Sequence, residues 1–300
     1  MTRRMKVVFL RNMDACSASS YYGRGMSQMD VDLTVIDFHH HDPQPYRRFP
    51  PADLLLMVDC GLPVEFPGLE AFQGAKHFVS IDSCHKLEMH KAYQKKYHWD
   101  FFWVAQKHVV SEFGEKAAWL PLAADETVHV FRPEMARRDS FWERLNKKNF
   151  YDISMCGAPY PHRRAFEALF RKAGLSTNFY YRKKFGDAVT RELARSTIGF
   201  NVGAGYRGTK GKDINMRVFE TMANGLAMLL TNVYEGLGYE DLFEDGVHYA
   251  TFTSEEEAVE KACFYARHPL EASRIAREAQ RYVLAHHCYR HRCQTIIDSI

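Results

Sequence analysis

The sequence predicts an α/β protein built from two doubly wound, Rossmann-like domains, and three observations support this prediction. The chain has 300 residues with 46% hydrophobic and 26% charged content, which suits two globular domains of about 150 residues. Its first forty residues follow the pattern of a buried strand, a polar loop, a helix and a second strand. Further along, a glycine-rich loop leads into an amphipathic helix and then a short apolar strand.

Five segments of the first half have the composition of parallel strands. Helices are predicted between them, the first at Tyr21–Met29. The strands are predicted at Lys6–Leu10, Val31–Phe38, Asp53–Val58, His77–Ile81 and Phe101–Val104. No G-x-G-x-x-G follows the first of them, which disfavours a dinucleotide-binding dehydrogenase. Ligands of such sheets bind beyond the carboxyl ends of the strands. The acid–base candidates there are Asp14, Asp82 and His85, and each is equally suited to a structural loop role.

The second half begins with a strand predicted at Tyr151–Gly157, and Arg163 follows it in the opening turn of a helix. An arginine in this position either clamps phosphate or is simply solvated, and both interpretations stay open. Another strand, Thr197–Val202, includes Asn201 and leads into the glycine-rich loop. Between the two strands, Asn178–Lys184 mixes aromatic and basic residues, as either an exposed edge strand or a nucleic-acid surface would.

The segment Lys210–Asn232 is predicted to contain the central helix of this half. Apolar residues at helical spacing fall on one face, namely Ile214, Val218, Met222 and Leu226. Asp213 and Asn215 stand where an N-cap belongs, Asn224-Gly225 ends the helix, and Ala227–Leu230 suits a buried strand. A glycine-rich loop feeding a helix N-terminus favours an anion such as a diphosphate. The alternative is an ordinary αβ unit that binds nothing.

The residues DINMRVFETMANGLAMLLTN, with EGLGYEDLFEDGVHYATFTSEEEA after them, resemble the C-terminal half of group 1 glycosyltransferases. The similarity is greatest to the CgeB-like, spore-maturation-protein-like branch, and it extends from about Trp119 to Tyr289. This resemblance implies a GT-B fold, in which two Rossmann-like domains face each other across a cleft and the final helix crosses back to the first domain. It also implies a nucleoside-diphosphate sugar as the donor.

The expected domains are an acceptor-side domain at 1–124, a donor domain at 125–285, and a C-terminal helix end at 286–300 that crosses back. The family's glutamate pair is matched only in part, because Lys212 stands at the first position, with Asp213 next to it, and Glu220 at the second. The resemblance implies that Glu220 accepts hydrogen bonds from the ribose hydroxyls. The predicted donor-binding residues are Gly157, Arg163, Asn201, Asp213, Ile214, Asn215, Met216, Arg217 and Glu220.

The functional hypothesis is transfer of a sugar from UDP-glucose or a related UDP-sugar to an acceptor hydroxyl. The transfer is expected to retain anomeric configuration and to need neither metal nor cofactor. The expected acceptor is a saccharide or surface component, or else a hydroxymethylated base in phage DNA. The DNA acceptor is favoured by the basic runs Arg3-Arg4, Lys91–Lys96 and Arg182–Lys184. The alternatives are a nucleotide-sugar epimerase, a phosphorylase, or a non-catalytic module that binds a nucleotide sugar or nucleic acid.

Composition excludes several other classes. A net charge of +3 and a pI near 8.4 permit an anionic partner without demanding one. Seven cysteines without a C-x-x-C pair disfavour both a disulfide framework and a zinc site, and fit a reducing compartment. No apolar run approaches a membrane span, and MTRRMKVVFL lacks the form of a signal peptide. The expected location is the cytoplasm of a bacterium or, for a phage-encoded enzyme, of its host.

Overall fold

The computed structural model describes residues 3–13, 17–39, 48–59, 61, 64–138, 150–181, 185–208 and 212–300. Contacts divide the chain into two units. The first comprises Met1–Leu122 with Tyr289–Ile300, and the second comprises Ala123–Cys288. Each unit contains one parallel sheet with helices, as the sequence predicts.

The first unit contains a six-stranded parallel sheet in the order β2-β1-β3-β4-β5-β6. Its strands are β1 (Lys6–Asn12), β2 (Asp32–Phe38), β3 (Leu54–Val58), β4 (Ala75–Ser80), β5 (Phe101–Val104) and β6 (Ala117–Trp119). The helices of this part are α1 (Ser17–Met26) and α2 (Ser83–Tyr97), with 3-10 turns at Leu69–Ala71 and Lys107–Phe113. β3 reads LLLMV and is buried along its whole length, as expected for a central strand covered on both faces.

The second unit contains a five-stranded parallel sheet in the order β11-β10-β9-β7-β8. Its strands are β7 (Tyr151–Cys156), β8 (Thr177–Tyr180), β9 (Ser196–Asn201), β10 (Met228–Asn232) and β11 (Ala250–Phe252). Its helices are α3 (Pro161–Lys172), α4 (Asp187–Leu193), α5 (Met216–Asn224), α6 (Tyr239–Leu242), α7 (Glu255–Arg267) and α8 (Pro269–His286), and a 3-10 turn spans Pro133–Arg138.

Numbered from its own first strand, each sheet has the order 2-1-3-4-5, to which the first sheet adds a sixth strand. In this arrangement the chain direction across the sheet reverses between strands 1 and 3, and ligands bind beyond the carboxyl ends of the strands there. The reversal lies between β1 and β3 in the first sheet and between β7 and β9 in the second. These two places are called the switch points below.

The C-terminal helix differs from its prediction. The residues 286–300 were expected to form the end of a longer helix, but α8 ends at His286 and a separate helix, α9 (Tyr289–Ile297), follows. The break has a backbone cause: the N–H of Ala124 donates to the carbonyl of His287 at 2.9 Å, and Ala124 forms a parallel bridge with Cys288. Extended backbone is needed for such pairing, so the helix is interrupted there.

Within the first unit, α9 packs closely against α1. A Cβ atom on Gly25 would lie 2.9 Å from the carbonyl carbon of Tyr289, so only glycine permits this approach. The ring centroid of Tyr289 lies 4.9 Å from that of Tyr22. Arg292 donates from Nε to the carbonyl of Pro121 at 2.7 Å. The first unit is therefore assembled from both ends of the chain.

Two further sequence predictions concern the edges of the described chain. β8 is an edge strand of the second sheet, in line with one interpretation of Asn178–Lys184, while Arg182–Lys184 lie outside the described residues. None of the helices in the described ranges has both the length and the apolar character required to cross a lipid bilayer.

Candidate functional site

At the switch point of the second sheet, Arg163 lies across the ends of β7 and β9. Pro161 opens α3 at a position where its missing N–H costs nothing, and this places Arg163 in the first turn. The guanidinium donates to the carbonyl of Val202 from Nε at 3.2 Å and from Nη2 at 2.8 Å. Its Nη1 donates to the carbonyl of Ala158 at 3.2 Å. These bonds join the loops that follow the two strands.

Gly157 supplies the space that this arginine needs. A Cβ atom at Gly157 would lie 2.4 Å from Nη1 of Arg163, so a larger residue would displace the guanidinium. The structure thus brings together two of the predicted donor-binding residues. Arg163 is buried, and burial lowers the pKa of its guanidinium below its ordinary value. Three of its five N–H groups go to the two carbonyl oxygens, and the remaining two are of the kind that binds phosphate.

Asn201, another predicted donor-binding residue, makes its contacts within the second sheet. At the end of β9, its Nδ2 donates to the Oγ1 of Thr231 on β10 at 3.0 Å, and its side chain is buried. Nearby, the N–H of Gly203 donates to the Oδ1 of Asn232 at 3.1 Å. Asn201 therefore holds two neighbouring strand ends together, and the described contacts do not direct it toward a ligand.

The helix predicted to start near Asp213 begins three residues later. Asn215 has extended backbone angles and caps α5, because its side-chain oxygen accepts the N–H of Arg217 at 3.0 Å. The N–H of Val218 donates to the carbonyl of Asn215 at 3.1 Å. Asp213 and the buried Ile214 thus precede the helix, which starts at Met216. Since two amides of the first turn already have partners, a bound anion depends more on the helix dipole and on side chains than expected.

The charges of Arg217 and Asp213 act on Arg163, so these three groups are neighbours at the carboxyl edge of the second sheet. Arg217 adds a second cation, and the positive end of α5 adds a third favourable contribution for an anion. The apolar face of α5 also needs one correction. Leu226 follows the left-handed Gly225, which ends the helix, and its side chain is 47% exposed. Of the four residues of the predicted apolar face, Ile214, Val218 and Met222 are buried and Leu226 is not.

Glu220 is buried, at 2% exposure, where the sequence suggested a carboxylate facing a ligand. One carboxylate oxygen accepts a hydrogen bond from Nη1 of Arg217, and the other lies 3.3 Å from Nε2 of His129. Burial by itself would raise the pKa of Glu220, but the charge of Arg217 and the contact with His129 outweigh it and hold the pKa at about 2. The carboxylate is therefore ionised, and it fixes Arg217 on the surface of α5.

His129 was not predicted as a site residue. Its Nδ1 accepts the backbone N–H of Asp125 at 2.9 Å, so the ring carries a proton on Nε2, the nitrogen that faces Glu220. His129 is fully buried. Only its place four residues after Asp125, the predicted start of the donor domain, distinguishes it in the sequence.

A group of aromatic rings near the ends of β7 and β9 was also missed. The ring of His162 lies 5.6 Å from that of Tyr160 and 5.8 Å from that of Tyr206, measured between centroids. Tyr160 also lies under the guanidinium of Arg163 at 4.9 Å. The ammonium group of Lys212 lies 4.6 Å from the ring centre of Tyr234. Such rings provide flat surfaces on which a nucleobase can stack.

The candidate acid–base residues belong to the first unit. Asp82 precedes α2 after the carboxyl end of β4, and its carbonyl accepts the N–H groups of His85 and Lys86 at 3.0 Å each. Burial raises the pKa of Asp82, and the charge of Asp59 raises it further. His85 lies exposed in the same turn. Asp14, the third candidate, lies outside the described residues.

The model of a protein family described as glycosyl transferase-like matches residues 137–298. Among curated proteins, no sequence relative of this chain was found.

Solved structures provide fold-level matches over nearly the whole chain. Anabaena Alr3699/HepE in complex with UDP and glucose superposes with a TM-score of 0.62 at 12% identity, covering 98% of this chain and 99% of that one. Sucrose-phosphate synthase from Thermosynechococcus elongatus gives 0.63 at 9% identity, with 99% and 98% covered. A glycosyltransferase from Rickettsia africae gives 0.61 at 9% identity, with 99% and 98% covered. These neighbours confirm the predicted fold class, GT-B with two Rossmann-like domains.

Proposed function

The chain belongs to the glycosyl transferase-like family, and on this basis we propose that it transfers a sugar from a UDP-sugar, UDP-glucose in the first instance, to an acceptor hydroxyl. The observation that carries the donor assignment is Arg163, a buried arginine lying across the β7/β9 switch point. The positive charge of Arg217, at the start of α5, acts on the guanidinium of Arg163. The Anabaena neighbour was crystallised with UDP, with UDP and glucose, and with UDP-glucose, which supports the choice of nucleotide.

In this proposal the diphosphate of the donor binds beside Arg163, Arg217 and the N-terminus of α5. When the bond between the anomeric carbon and the diphosphate oxygen breaks, UDP leaves with the electron pair and gains negative charge. Two arginines and a helix dipole stabilise that charge without a metal ion. The anomeric configuration is proposed to be retained, as in the relatives that carry the glutamate pair, so the acceptor oxygen bonds to the anomeric carbon on the face that UDP leaves. We also place the chain in the CgeB-like branch, because its motif from Asp213 to Gly225 resembles that branch.

Glu220 is assigned to the ribose hydroxyls, and the structure adds a condition to this role. Both of its oxygens already have a neighbour, one from Arg217 and one from His129. A carboxylate offers about four lone-pair sites, so each oxygen can accept one further bond. At 2% exposure Glu220 fixes Arg217, and serving the ribose as well requires its carboxylate oxygens to become accessible when the donor binds.

On the acceptor side, Asp82 is proposed to receive the proton of the acceptor hydroxyl as its oxygen bonds to the anomeric carbon. Burial and the charge of Asp59 raise the pKa of this carboxyl group, which makes it a stronger base than an ordinary aspartate. His85, in the same turn, is the second residue proposed to contact the acceptor. The acceptor itself is a saccharide or surface component, or a hydroxymethylated base in DNA.

The donor assignment is tested by thermal stability, since a ligand that binds the folded state raises the melting temperature. UDP should raise it more than GDP, ADP or TDP do, and Arg217→Ala should reduce the increase. Arg164→Ala, which removes an exposed arginine one position after Arg163, is the matched control and should leave the UDP effect intact. A melting temperature that none of the four nucleotides changes would refute the donor site.

The acceptor classes are separated by salt. Binding to DNA releases counterions, so affinity for an oligonucleotide carrying hydroxymethylated bases should fall steeply between about 50 and 200 mM salt. Binding of a neutral oligosaccharide should hardly change over that range. Transfer to the oligosaccharide with no measurable affinity for DNA would remove the nucleic-acid acceptor. The configuration of the product, determined by NMR, tests retention.

A further inference from the structure

A buried polar network lies at the carboxyl edge of the first sheet, beneath the turn that carries Asp82. Asp59 follows β3, Ser80 ends β4, Ser83 opens α2, and His90 lies two turns further along that helix. The Nε2 of His90 is 3.1 Å from Oδ2 of Asp59. Its Nδ1 is 2.8 Å from the Oγ of Ser80 and 3.0 Å from that of Ser83. All four side chains are at most 1% exposed.

The chemistry of the four groups sets the direction of their hydrogen bonds. An ionised aspartate only accepts hydrogen bonds, so His90 carries its proton on Nε2. Its Nδ1 then accepts a hydrogen bond from a serine hydroxyl. The other oxygen of Asp59 accepts the N–H of Gly61 at 2.6 Å. This order of carboxylate, imidazole and hydroxyl is that of the serine hydrolases. Because Ser80 and Ser83 are fully buried, neither can act as a nucleophile on a substrate. The network must act through what it holds in place.

What it holds is the first turn of α2. The backbone leaves helical geometry at Lys86, with φ −133° and ψ 32°, so the turn before it is not secured by a continuous helix. Ser83 secures it through its hydroxyl to His90 and through its N–H, which donates to Oε1 of Gln106 at 3.0 Å. Gln106 in turn donates to the carbonyl of Ile81 at 2.5 Å. Lys86 bonds the carbonyl of Gly61, next to Asp59.

We propose that Asp59 and His90 are positioning residues, which hold the first turn of α2, and with it Asp82, at the carboxyl edge of the first sheet. The inference rests on the proposed function, in which Asp82 takes the proton of the acceptor. It goes beyond that function by assigning the orientation and charge environment of Asp82 to two residues that cannot touch the substrate.

The charges around Asp82 give this proposal a measurable consequence. Among the described residues, Asp59 at the end of β3 raises the pKa of Asp82, whereas His85, Lys86 and His90 on α2 lower it. Burial is the largest cause of the raised pKa. Asp59→Asn keeps the shape of the side chain and removes its charge, so the pKa of Asp82 should fall toward its ordinary value. The amide can donate to Nε2 of His90, which reverses the proton positions of the network while keeping its geometry.

The first experiment is a double-mutant cycle of Asp59→Asn and Asp82→Asn, read from the melting temperature between pH 4 and 7. A carboxyl group whose pKa is raised by folding contributes stability below its unfolded pKa and loses it as pH rises through its folded pKa. Wild type should therefore lose stability relative to Asp82→Asn as pH rises from about 4. With Asp59→Asn this loss should become smaller, because burial is then the only cause, among the described residues, that still raises the pKa of Asp82.

Asp100→Asn is the matched control for that cycle. Asp100 belongs to the same unit, but its Oδ2 accepts the N–H of Lys76 at 2.9 Å, at the amino end of β4. Its removal should lower the melting temperature without changing the pH-dependent contribution of Asp82. An Asp59→Asn variant that behaves in the same way would show that the network has only a structural role, and the inference would be overturned.

The second experiment measures release of UDP from UDP-glucose, with water as the acceptor. His90→Gln should slow the release by about tenfold while leaving the affinity for UDP unchanged, and Asp59→Asn should move the acidic limb of the pH profile to lower pH. Asp82→Asn itself should slow the release about 100-fold. If Asp82→Asn releases UDP at the wild-type rate although the double-mutant cycle shows coupling between Asp59 and Asp82, the proposed function of Asp82 as the base is wrong. If Asp82→Asn is slow and the acidic limb does not move in Asp59→Asn, the positioning inference fails instead.

Discussion

The two sheets have the same strand order, yet their switch points hold opposite charges. In the first sheet Asp59 follows β3 at the reversal and pairs with His90. In the second, Arg163 lies across the ends of β7 and β9 and bonds backbone carbonyls. The same topology therefore produces an acidic centre in one unit and a basic centre in the other. The strand order provides a position for a polar group at each switch point. The residue at that position, Asp59 or Arg163, determines whether the centre is acidic or basic.

The two centres also satisfy their buried charges differently. Asp59 is surrounded by donors, namely a histidine ring and the N–H of Gly61. Arg163 contacts two carbonyl oxygens and the ring of Tyr160, and the bonds to the carbonyls use three of its five N–H groups. A cation with further donors attracts an anionic ligand, whereas a carboxylate with donors at both oxygens serves to hold neighbouring groups. This contrast predicts that disruption of the basic centre has the larger effect on donor binding.

The largest effect is expected for Arg163→Met, which keeps the length of the side chain and removes its charge and donors. The carbonyls of Val202 and Ala158 lose charged partners, and the cost should be about 3 kcal/mol of folding free energy. Thermal unfolding should show a decrease of roughly 10 °C, together with loss of the stabilisation by UDP. Arg164→Met should show neither effect. A stable Arg163→Met variant that still binds UDP would mean that the basic centre has no part in donor binding.

Glu220→Gln should have an intermediate effect. The amide is a weaker acceptor for Arg217 and for a ribose hydroxyl, at a cost of about 1–3 kcal/mol, so calorimetry should show that affinity for UDP falls about tenfold or more. Ionised Glu220, with its pKa held at about 2, contributes stability that is complete above the ordinary value of 4.5 and is lost as pH falls toward 2. The difference in melting temperature between wild type and Glu220→Gln should therefore narrow below pH 4.5. Glu240→Gln, on the exposed surface of the same unit, is the control, and equal narrowing there would contradict the assignment.

Gly157→Ala should have the smallest effect, because the guanidinium is the far end of a flexible side chain and can move away from the added methyl group. The added methyl group would start 2.4 Å from Nη1 of Arg163 and push it off the Ala158 carbonyl. A loss of about 1 kcal/mol and a two- to fivefold weaker affinity for UDP are expected. Gly203→Ala is the control, since the nearest atom to its new Cβ is 3.9 Å away. If the two alanine variants bind UDP equally, close packing of Arg163 is not important for the donor site.

Much of the fold was predictable because its signals are local. β5 spans Phe101–Val104 as predicted, and the remaining strands predicted in the first half differ by a few residues at their ends. Apolar runs and N-cap residues such as Asn215 act within a few positions, so the sequence exposes them. The break between α8 and α9 was missed because its cause is the distant backbone of Ala124, and neither glycine nor proline marks it.

The site was less predictable, for a related reason. Gly157 and Arg163 were predicted to bind the donor from their place after a strand, and the structure places the two residues close together. Asp59, His90 and His129 were missed because each is defined by a partner from 31 to 91 positions away in the sequence. Glu220 was recognised as important from a motif, but its burial depends on His129. A sequence pattern shows which residue type stands at the end of a strand. Its contact partner from a distant part of the chain is known only from the folded structure.

The position of α9 in the first unit also determines the order in which the nascent protein can be completed. All 166 residues of the second unit, Ala123–Cys288, leave the ribosome before α9 does. At a usual synthesis rate this takes roughly 10–30 s, during which the surface of α1 at Gly25, Tyr21 and Tyr22 has no helix to cover it. The second unit, although later in sequence, is therefore the first whose residues are all available for folding. Aromatic side chains of α1 remain exposed to chaperones or to other nascent chains until α9 has been synthesised and buries them against Tyr289.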